Sequence, residues 1–309
     1  MHTTNPTIYI IGAGAIGKAL AVFLSYTGKK VILLHGRDHD KKEYTETIQV
    51  AVNKGEIVKS NIHISTVNNY AVLDGIIILT TKSFSNHQMA DNLKDRVGDS
   101  PIVVLQNGLH VENPFISYGF TEIYRCVLFA SSQHIETHQL KFKPASNSPI
   151  GVIKGNIPNL TAIVKSLNNP YLVFTPEEDI QPVIWSKAIL NCVFNSLCPL
   201  LEIDNGIFKR NEKALQLAKQ VIDECIVIAA AEGIHLKAET LLEKLLLISS
   251  TSEGQLISTY QDILHKRKTE IETFNIEIGR IAGQYQKNEQ SKITKFLGEL
   301  IEIKSAINQ

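Results

Sequence analysis

A short apolar run, Thr7 to Ile11, leads straight into Gly12-Ala13-Gly14-Ala15-Ile16-Gly17, and the helical pattern KALAVFLSYTG follows at once. Strand, G-x-G-x-x-G, helix is the context in which this glycine spacing carries meaning. Gly12 permits the tight turn, Gly14 lets backbone approach a pyrophosphate, and Gly17 lets the helix pack closely on the strand. The helix N-terminus then presents free N–H groups to an anion. The six residues Gly12, Ala13, Gly14, Ala15, Ile16 and Gly17 thus form a candidate dinucleotide cradle. The bland alternative is a tight turn without a ligand.

The next strand, Lys30 to Leu34, ends at His35-Gly36-Arg37. A site for NAD usually carries an acidic residue here for the ribose hydroxyls. Arg37 can instead pair with an adenosine 2′-phosphate and stack on adenine, which favours NADPH/NADP+ over NADH. Asp38 could neutralise Arg37 or bind a ribose itself, and Arg37 could be a solvated loop charge. Apolar runs at Gly75–Thr80 and Ile102–Leu105 suit a parallel sheet buried on both faces. They lead into the polar turns Thr81-Lys82-Ser83 and Gln106-Asn107-Gly108. The ligand crevice of a doubly wound sheet lies outside such strand ends. Lys82 and Asn107 are therefore expected beside the nicotinamide half of the cofactor, against a surface lysine and an Asn-Gly turn as alternatives. The stretch from Cys126 to Gly151 is β-rich without a clear order.

From Thr175-Pro176-Glu177-Glu178 onward the strand signature fades. That tetrapeptide has a cap, a first-turn proline and two acidic residues, which predicts a helix start. Helical patterns follow at about 176–200, 211–232, 238–248, 253–266, 270–285 and 289–305. The expected organisation is a doubly wound α/β domain over 1–175 and an all-α domain over 176–309. Gly233 is the expected stop of the apolar helix VIDECIVIAAAEGI.

Within WSKAILNCVFNSL, Lys187, Asn191 and Asn195 recur every four residues on an otherwise apolar helix. Four-residue spacing aligns them along one side. Burying two amides without partners costs about 1–3 kcal/mol each, and an ammonium costs more. Something polar must face this stripe, and a small polar substrate is the natural candidate. Further along, Thr269 and Glu272 have capping-box spacing, which predicts a helix start at Lys268-Thr269-Glu270-Ile271-Glu272. Glu270 itself reads as a first-turn carboxylate as readily as a functional one. Ser258, in LISTYQD, reads as a helical serine.

Lys+Arg and Asp+Glu are equal at 31 each, which gives no support to a nucleic-acid or anionic-membrane partner. The N-terminus has no basic region before its glycine-broken apolar run, so a secretory signal is not expected. No uninterrupted apolar run approaches the roughly 20 residues that span a bilayer. The four cysteines lack C-x-x-C spacing and read as reduced core thiols of a cytoplasmic protein. The histidines are scattered, so no metal is expected. The apolar C-terminal helices could form a homodimer face or finish the monomer core.

Taken together, GAGAIG, Lys82, Gln106-Asn107-Gly108, K-x3-N-x3-N as KAILNCVFN, Asn205-Gly206 and STYQDILHKRKTEIE resemble the ketopantoate reductase (2-dehydropantoate 2-reductase) family. The resemblance implies a Rossmann-type N-terminal domain, a helical C-terminal domain, and reduction of a 2-keto acid by NADPH in the cleft between them. It implies that Lys187 is the general acid and Glu270 its acidic partner. It implies that Asn191 and Asn205 bind substrate oxygens, that Ser258 meets the substrate carboxylate, and that Asn107 holds both cofactor and substrate. Asn195 matches the motif as a substrate residue or as one that orients its neighbours. Pantoate synthesis, on the route to coenzyme A, is the implied role. A regulator that binds NADP(H) without turnover is the alternative from another class, and it would have no need of both Lys187 and Glu270.

Three stretches depart from the family pattern. Ser196-Leu197-Cys198-Pro199 replaces the usual Pro-Leu-Thr-Ala, THQLKFKP replaces a glycine- and histidine-containing hairpin, and the preceding strand reads FASSQH. These leave the reaction class alone and open the choice of keto acid to another branched or hydroxylated one.

Overall fold

The computed structural model describes residues 6–36, 42–52 and 55–308. The chain divides into two compact units, residues 1–107 with 111–180, and residues 108–110 with 181–309. The first unit contains, in chain order, β1 (Ile8–Ile11), α1 (Ala15–Tyr26), β2 (Val31–His35), β3 (Tyr44–Ala51), β4 (Ile57–Thr66), β5 (Ile76–Leu79), α2 (Asn86–Leu93), β6 (Ile102–Val104), α3 (Asn113–Ser117), β7 (Ile123–Cys126), β8 (Ala130–Glu136), β9 (Gln139–Pro144), β10 (Ser148–Lys154), α4 (Ile157–Leu167) and β11 (Phe174–Pro176).

One sheet carries all of these strands in the order β11-β10-β7-β6-β5-β1-β2-β4-β3-β9-β8. Its centre, β4-β2-β1-β5-β6-β7, is parallel throughout. Numbered by appearance, these six strands have the doubly wound order 3-2-1-4-5-6. Successive side chains of a strand point to opposite faces, and both faces of this one are covered. Ile8 and Ile10 pack with Leu20, Phe23 and Leu24 of α1. Tyr9 and Ile11 pack with Met89, Ala90 and Leu93 of α2. Burial on both sides explains why β1, β5 and β6 read as unbroken apolar runs.

The β-rich stretch extends the sheet at both edges. At one edge β10 runs antiparallel to β7, and β11 parallel to β10. At the other, β3 runs antiparallel to β4, β9 parallel to β3, and β8 antiparallel to β9. The predicted helix start at Thr175-Pro176 is thereby corrected. Phe174 pairs with Ser148, and Pro176 with Ile150, in β11. Phe174 is 1% exposed. Burying a phenylalanine contributes about 1.5–3 kcal/mol, more than the ~1 kcal/mol of a helix cap.

The second unit is helical: α5 (Gln181–Leu200), α6 (Ile207–Arg210), α7 (Glu212–Ala231), α8 (Ala238–Thr251), α9 (Ser258–Leu264), α10 (Asn275–Gln284) and α11 (Lys292–Ile307). α7 buries Ala214, Ala218, Val221, Ile222, Cys225, Ile228 and Ala229 at helical spacing. It ends where Gly233 takes a φ of +81°. Glu224 of α7 accepts hydrogen bonds from the N–H groups of Ile293 (3.0 Å) and Thr294 (2.7 Å) and from the Thr294 hydroxyl (2.8 Å), which caps α11 from outside. By length and composition α5 is apolar enough to cross a bilayer, but 78% of its most apolar window is buried within the protein.

The capping box predicted at Thr269 and Glu272 does not form. Ile271–Thr273 is a single 3-10 turn, and α10 starts only at Asn275. The Thr273 N–H and hydroxyl both donate to the Glu270 carbonyl, at 3.0 and 2.9 Å. Glu272 instead meets Lys268 at 3.4 Å on the surface. The chain leaves helical geometry at Phe274 (φ −117°, ψ −102°), whose ring is buried.

Candidate functional site

The first unit builds an anion cradle at the carboxyl ends of its parallel strands. The Gly12 N–H donates to the Leu34 carbonyl at 2.8 Å. Gly12 takes a φ of +124°, and a Cβ there would lie 2.6 Å from Thr80 Oγ1. The Thr80 hydroxyl donates to the Gly12 carbonyl at 2.9 Å, tying the loop to the end of β5. A Cβ on Gly17 would overlap the Gly12 carbonyl, so this position fixes how closely α1 crosses β1. Gly14 is different, since nothing lies within 4 Å of where its Cβ would be. That open side faces a helix whose first turn has no acidic residue and no side-chain cap. The N–H groups of Ala15, Ile16 and Gly17 precede the first intrahelical donor, Lys18, which bonds the Gly14 carbonyl at 2.9 Å. Ala13 completes the turn. These features fit a pyrophosphate.

Lys18 itself is engaged elsewhere. Its ammonium lies 3.1 Å from Glu46 Oε1, and His138 Nδ1 lies 2.9 Å from the same oxygen. Burial pushes the Glu46 carboxyl up, but hydrogen bonds from His138 and Lys18 outweigh it and hold the group below its usual range. The β8–β9 hairpin, which contains much of the divergent 129–147 stretch, reaches α1 here. Ser132 Oγ donates to the Ala15 carbonyl at 3.0 Å.

His35 closes β2, with its Nε2 3.5 Å from the Tyr44 hydroxyl. Arg37 and Asp38, on which the expectation for the adenosine phosphate was built, lie outside the described residues. Lys82 and Asn107 are both half-buried, each just beyond a parallel strand. Their turns are joined by buried amides. Gln106 Nε2 donates to Thr81 Oγ1 at 3.1 Å and to Asn86 Oδ1 at 2.8 Å.

The second unit gathers the remaining candidates around α5. Lys187 and Asn191 are half-buried, whereas Asn195, one turn on, is 1% exposed. Between Ile184 and Pro199 only Ser186, Lys187 and Asn191 escape full burial, so the first two members of the stripe lie on the part of α5 left open. Asn195 Oδ1 accepts from the Ser258 hydroxyl and from the Thr259 N–H, both at 3.2 Å. It thereby anchors the first turn of α9 to α5. Glu270 directly precedes the 3-10 turn that packs on α5. Asn205 is buried, and its Oδ1 has no hydrogen-bond partner among the described residues. Its N–H donates to the Gln255 carbonyl at 3.0 Å and its carbonyl accepts from Ser249 Oγ at 2.7 Å, so its backbone is fixed while its side-chain acceptor is open.

Asp204 was not anticipated as a support for this site. One carboxylate oxygen accepts from the Gly206 and Gly254 N–H groups, at 2.7 and 3.1 Å, and the other pairs with Arg210 at 2.7 Å. The Arg210 hydrogen bond, with those from backbone, lowers its pKa to about 2. The sequence signal was only an Asp-Asn-Gly turn. The four cysteines are buried thiols, and burial pushes Cys198 up to about 12. Among the described residues no group of three or more His, Cys, Asp or Glu could hold a metal ion. A concavity of about 660 Å³ along α2, lined by Gln88, Asp91, Asn92, Lys94, Asp95 and Arg96, contains none of the candidate residues.

A doubly wound sheet with this glycine turn defines a dinucleotide-binding protein. Comparison with known proteins gives its family. Residues 8–154 match the model described as ketopantoate reductase PanE/ApbA, and residues 179–301 match its C-terminal counterpart. The chain belongs to the ketopantoate reductase family and is an oxidoreductase. It is similar to the 2-dehydropantoate 2-reductase of Pyrococcus horikoshii, 27% identical over 97% of this chain and 98% of that one. Among solved structures it is similar in fold to a dimeric ketopantoate reductase from Staphylococcus aureus (TM-score 0.81, 18% identity, 98% of this chain and 100% of that one). It is equally similar in fold to D-mandelate dehydrogenase with NADH and anilino(oxo)acetate (TM-score 0.82, 22% identity, 98% of this chain and 99% of that one).

Proposed function

We propose that the protein reduces a 2-keto acid with NADPH, and that 2-dehydropantoate is its substrate and pantoate its product, on the route to coenzyme A. The observation that carries this reading is the half-buried Lys187–Asn191 stripe on α5, directly beside the Asn195–Ser258 anchor. The names of the curated relatives support the substrate.

Gly12 to Gly17 would hold the pyrophosphate, and Lys82 and Asn107 would flank the nicotinamide half. A bound nicotinamide cofactor would supply the hydride that reduces C2. The Lys187 ammonium donates a proton to the C2 oxygen, so the ketone gains one hydride and one proton and becomes an alcohol. Its charge favours the developing oxyanion over the neutral ketone. Glu270 supports the lysine and substrate hydroxyls, Asn191 binds a substrate oxygen, and the Ser258 hydroxyl would turn its one proton from Asn195 Oδ1 to the carboxylate, leaving that oxygen to the Thr259 N–H. The open acceptor on buried Asn205 requires a donor, and the hydroxyl of ketopantoate is one. A bond from the divergent hairpin to Ala15 supports reading its departures as adjustments at the cofactor helix rather than a new substrate class.

Purified protein should oxidise NADPH with ketopantoate faster than with other 2-keto acids and faster than it oxidises NADH. Lys187→Ala should lower kcat by about 10²–10⁴. Near-normal turnover in that variant would refute the mechanism. Cofactor binding without turnover of any 2-keto acid would replace the enzyme reading with that of a regulator. The exposed Phe296, Ile303 and Ile307 of α11 support self-association as a homodimer, which sedimentation would test.

A further inference from the structure

The turns that carry Lys82 and Asn107 are separated in sequence by α2 and β6, yet a pair of buried amides joins them. Asn86, the first residue of α2, is 2% exposed, and Gln106 is 5% exposed. Asn86 Nδ2 donates to the Val111 carbonyl at 2.7 Å and to Gln106 Oε1 at 2.6 Å. A carbonyl oxygen can only accept, so Val111 fixes which end of the Asn86 amide faces it. That choice dictates the orientation of Gln106. Its oxygen meets Asn86 Nδ2, and its nitrogen donates to Asn86 Oδ1 at 2.8 Å and to Thr81 Oγ1 at 3.1 Å. Asn86 therefore grips both ends of the Gln106–Val111 segment, while Gln106 reaches the residue before Lys82.

We infer that Asn86 is a positioning residue for the reaction: through Gln106 it sets the register between the Lys82 turn and the Asn107 turn. This rests on the proposed roles of Lys82 and Asn107 beside the nicotinamide. A displacement of about 1 Å at a reacting centre can cost roughly 10²-fold in rate. The pyrophosphate cradle is held by its own bond from the Thr80 hydroxyl to the Gly12 carbonyl rather than by the amide pair, so the pyrophosphate part of cofactor affinity should be largely spared.

The test is Asn86→Asp, which keeps the shape but sets a carboxylate oxygen against the Val111 carbonyl, compared with Asn86→Gln/Gln106→Asn, which restores an amide pair of the same combined length. Two readouts are taken: hydrogen exchange of cofactor-free protein over residues 81–86 and 105–111, and kcat alongside the Kd for NADPH. Asn86→Asp is expected to speed exchange in those two segments alone, to lower kcat about 10–100-fold and to move Kd less than about threefold. The double variant should recover at least part of kcat. Unchanged exchange in both segments would overturn the clamp itself. Locally faster exchange with kcat unchanged, or with kcat and Kd failing in proportion to lost folded protein, would overturn the positioning role. If the wild-type protein turns over no 2-keto acid, the functional reading fails, and the exchange data still decide the clamp.

Discussion

Truncating Asn195 to alanine separates two ways in which a buried amide can serve a site. The side chain is 1% exposed and its Oδ1 holds the Ser258 hydroxyl and the Thr259 N–H, both at 3.2 Å. Thr259 is 2% exposed, so its N–H loses its partner at a buried position when the amide is removed. An orphaned buried donor costs about 1–3 kcal/mol, and urea unfolding of Asn195→Ala should show a loss of about 2 kcal/mol. The kinetic effect should run through Ser258. If Ser258 turns its one proton from Asn195 to the substrate carboxylate, Ser258→Ala forfeits a hydrogen bond to a charged group, worth about 1.5–3 kcal/mol, and KM for the keto acid should rise roughly 10–150-fold. Asn195→Ala leaves that hydroxyl in place but on a helix turn no longer held through the Thr259 N–H, which should raise KM only about 3–10-fold. In the double variant the Asn195 change should add nothing, giving a coupling energy equal to its own single effect of about 0.7–1.4 kcal/mol. Additive effects on KM would mean that Asn195 touches substrate itself and would refute the reasoning. A stability loss below about 0.5 kcal/mol would refute its premise.

Three further outcomes are expected. Gly17→Ala, whose methyl would overlap the Gly12 carbonyl, should cost about 1–3 kcal/mol of stability and abolish NADPH binding by calorimetry; wild-type affinity would show that the glycine loop is not the cradle. Glu224→Ala should cost about 2–4 kcal/mol, because it strands two backbone donors and a buried threonine hydroxyl at the start of α11, and a loss confined to a few tenths would mean the cap is not formed in solution. Asp204, lowered from 3.8 to about 2, contributes stability that is complete above pH 4 and lost as pH falls through 2. After allowance for its partly solvated position that is about 1 kcal/mol, so the acid-unfolding curve of Asp204→Asn should converge on wild type below pH 2 and differ above pH 4.

The legible parts of the fold were those where local pattern and tertiary burial agree. Ile8–Ile11 and Ile76–Leu79 are buried on both sides, so their sequences are apolar whatever their partners. The hairpin could not be read in the same way. Most of β8 is exposed, and ASSQHIE shows no alternation because its neighbours, not a core, hold it in the sheet. At Thr175-Pro176 and at Thr269–Glu272 the local signals for a helix were real, but buried phenylalanines at positions 174 and 274 overrode them. At the site, the four-residue stripe of α5 was visible because helical periodicity is local. The Asn86–Gln106 pair and the Asn195–Ser258 anchor join residues 20 and 63 positions apart, so no pattern along the chain announces them.

The small second-unit segment Gly108–His110 has a consequence for how this chain could be divided. The path of the backbone passes from one unit to the other three times, not once. Leu109 donates to the Thr273 carbonyl at 3.0 Å, and the His110 ring lies between Glu277 and Glu232 at 3.0 and 3.1 Å. A fragment starting at residue 181 would therefore lack a tripeptide that its own helices grip, and would carry two carboxylates stripped of their imidazole. The helical half is not a cassette with a single splice point. A chimera that exchanges it between relatives must graft this tripeptide as well, or inherit a seam that neither parent has.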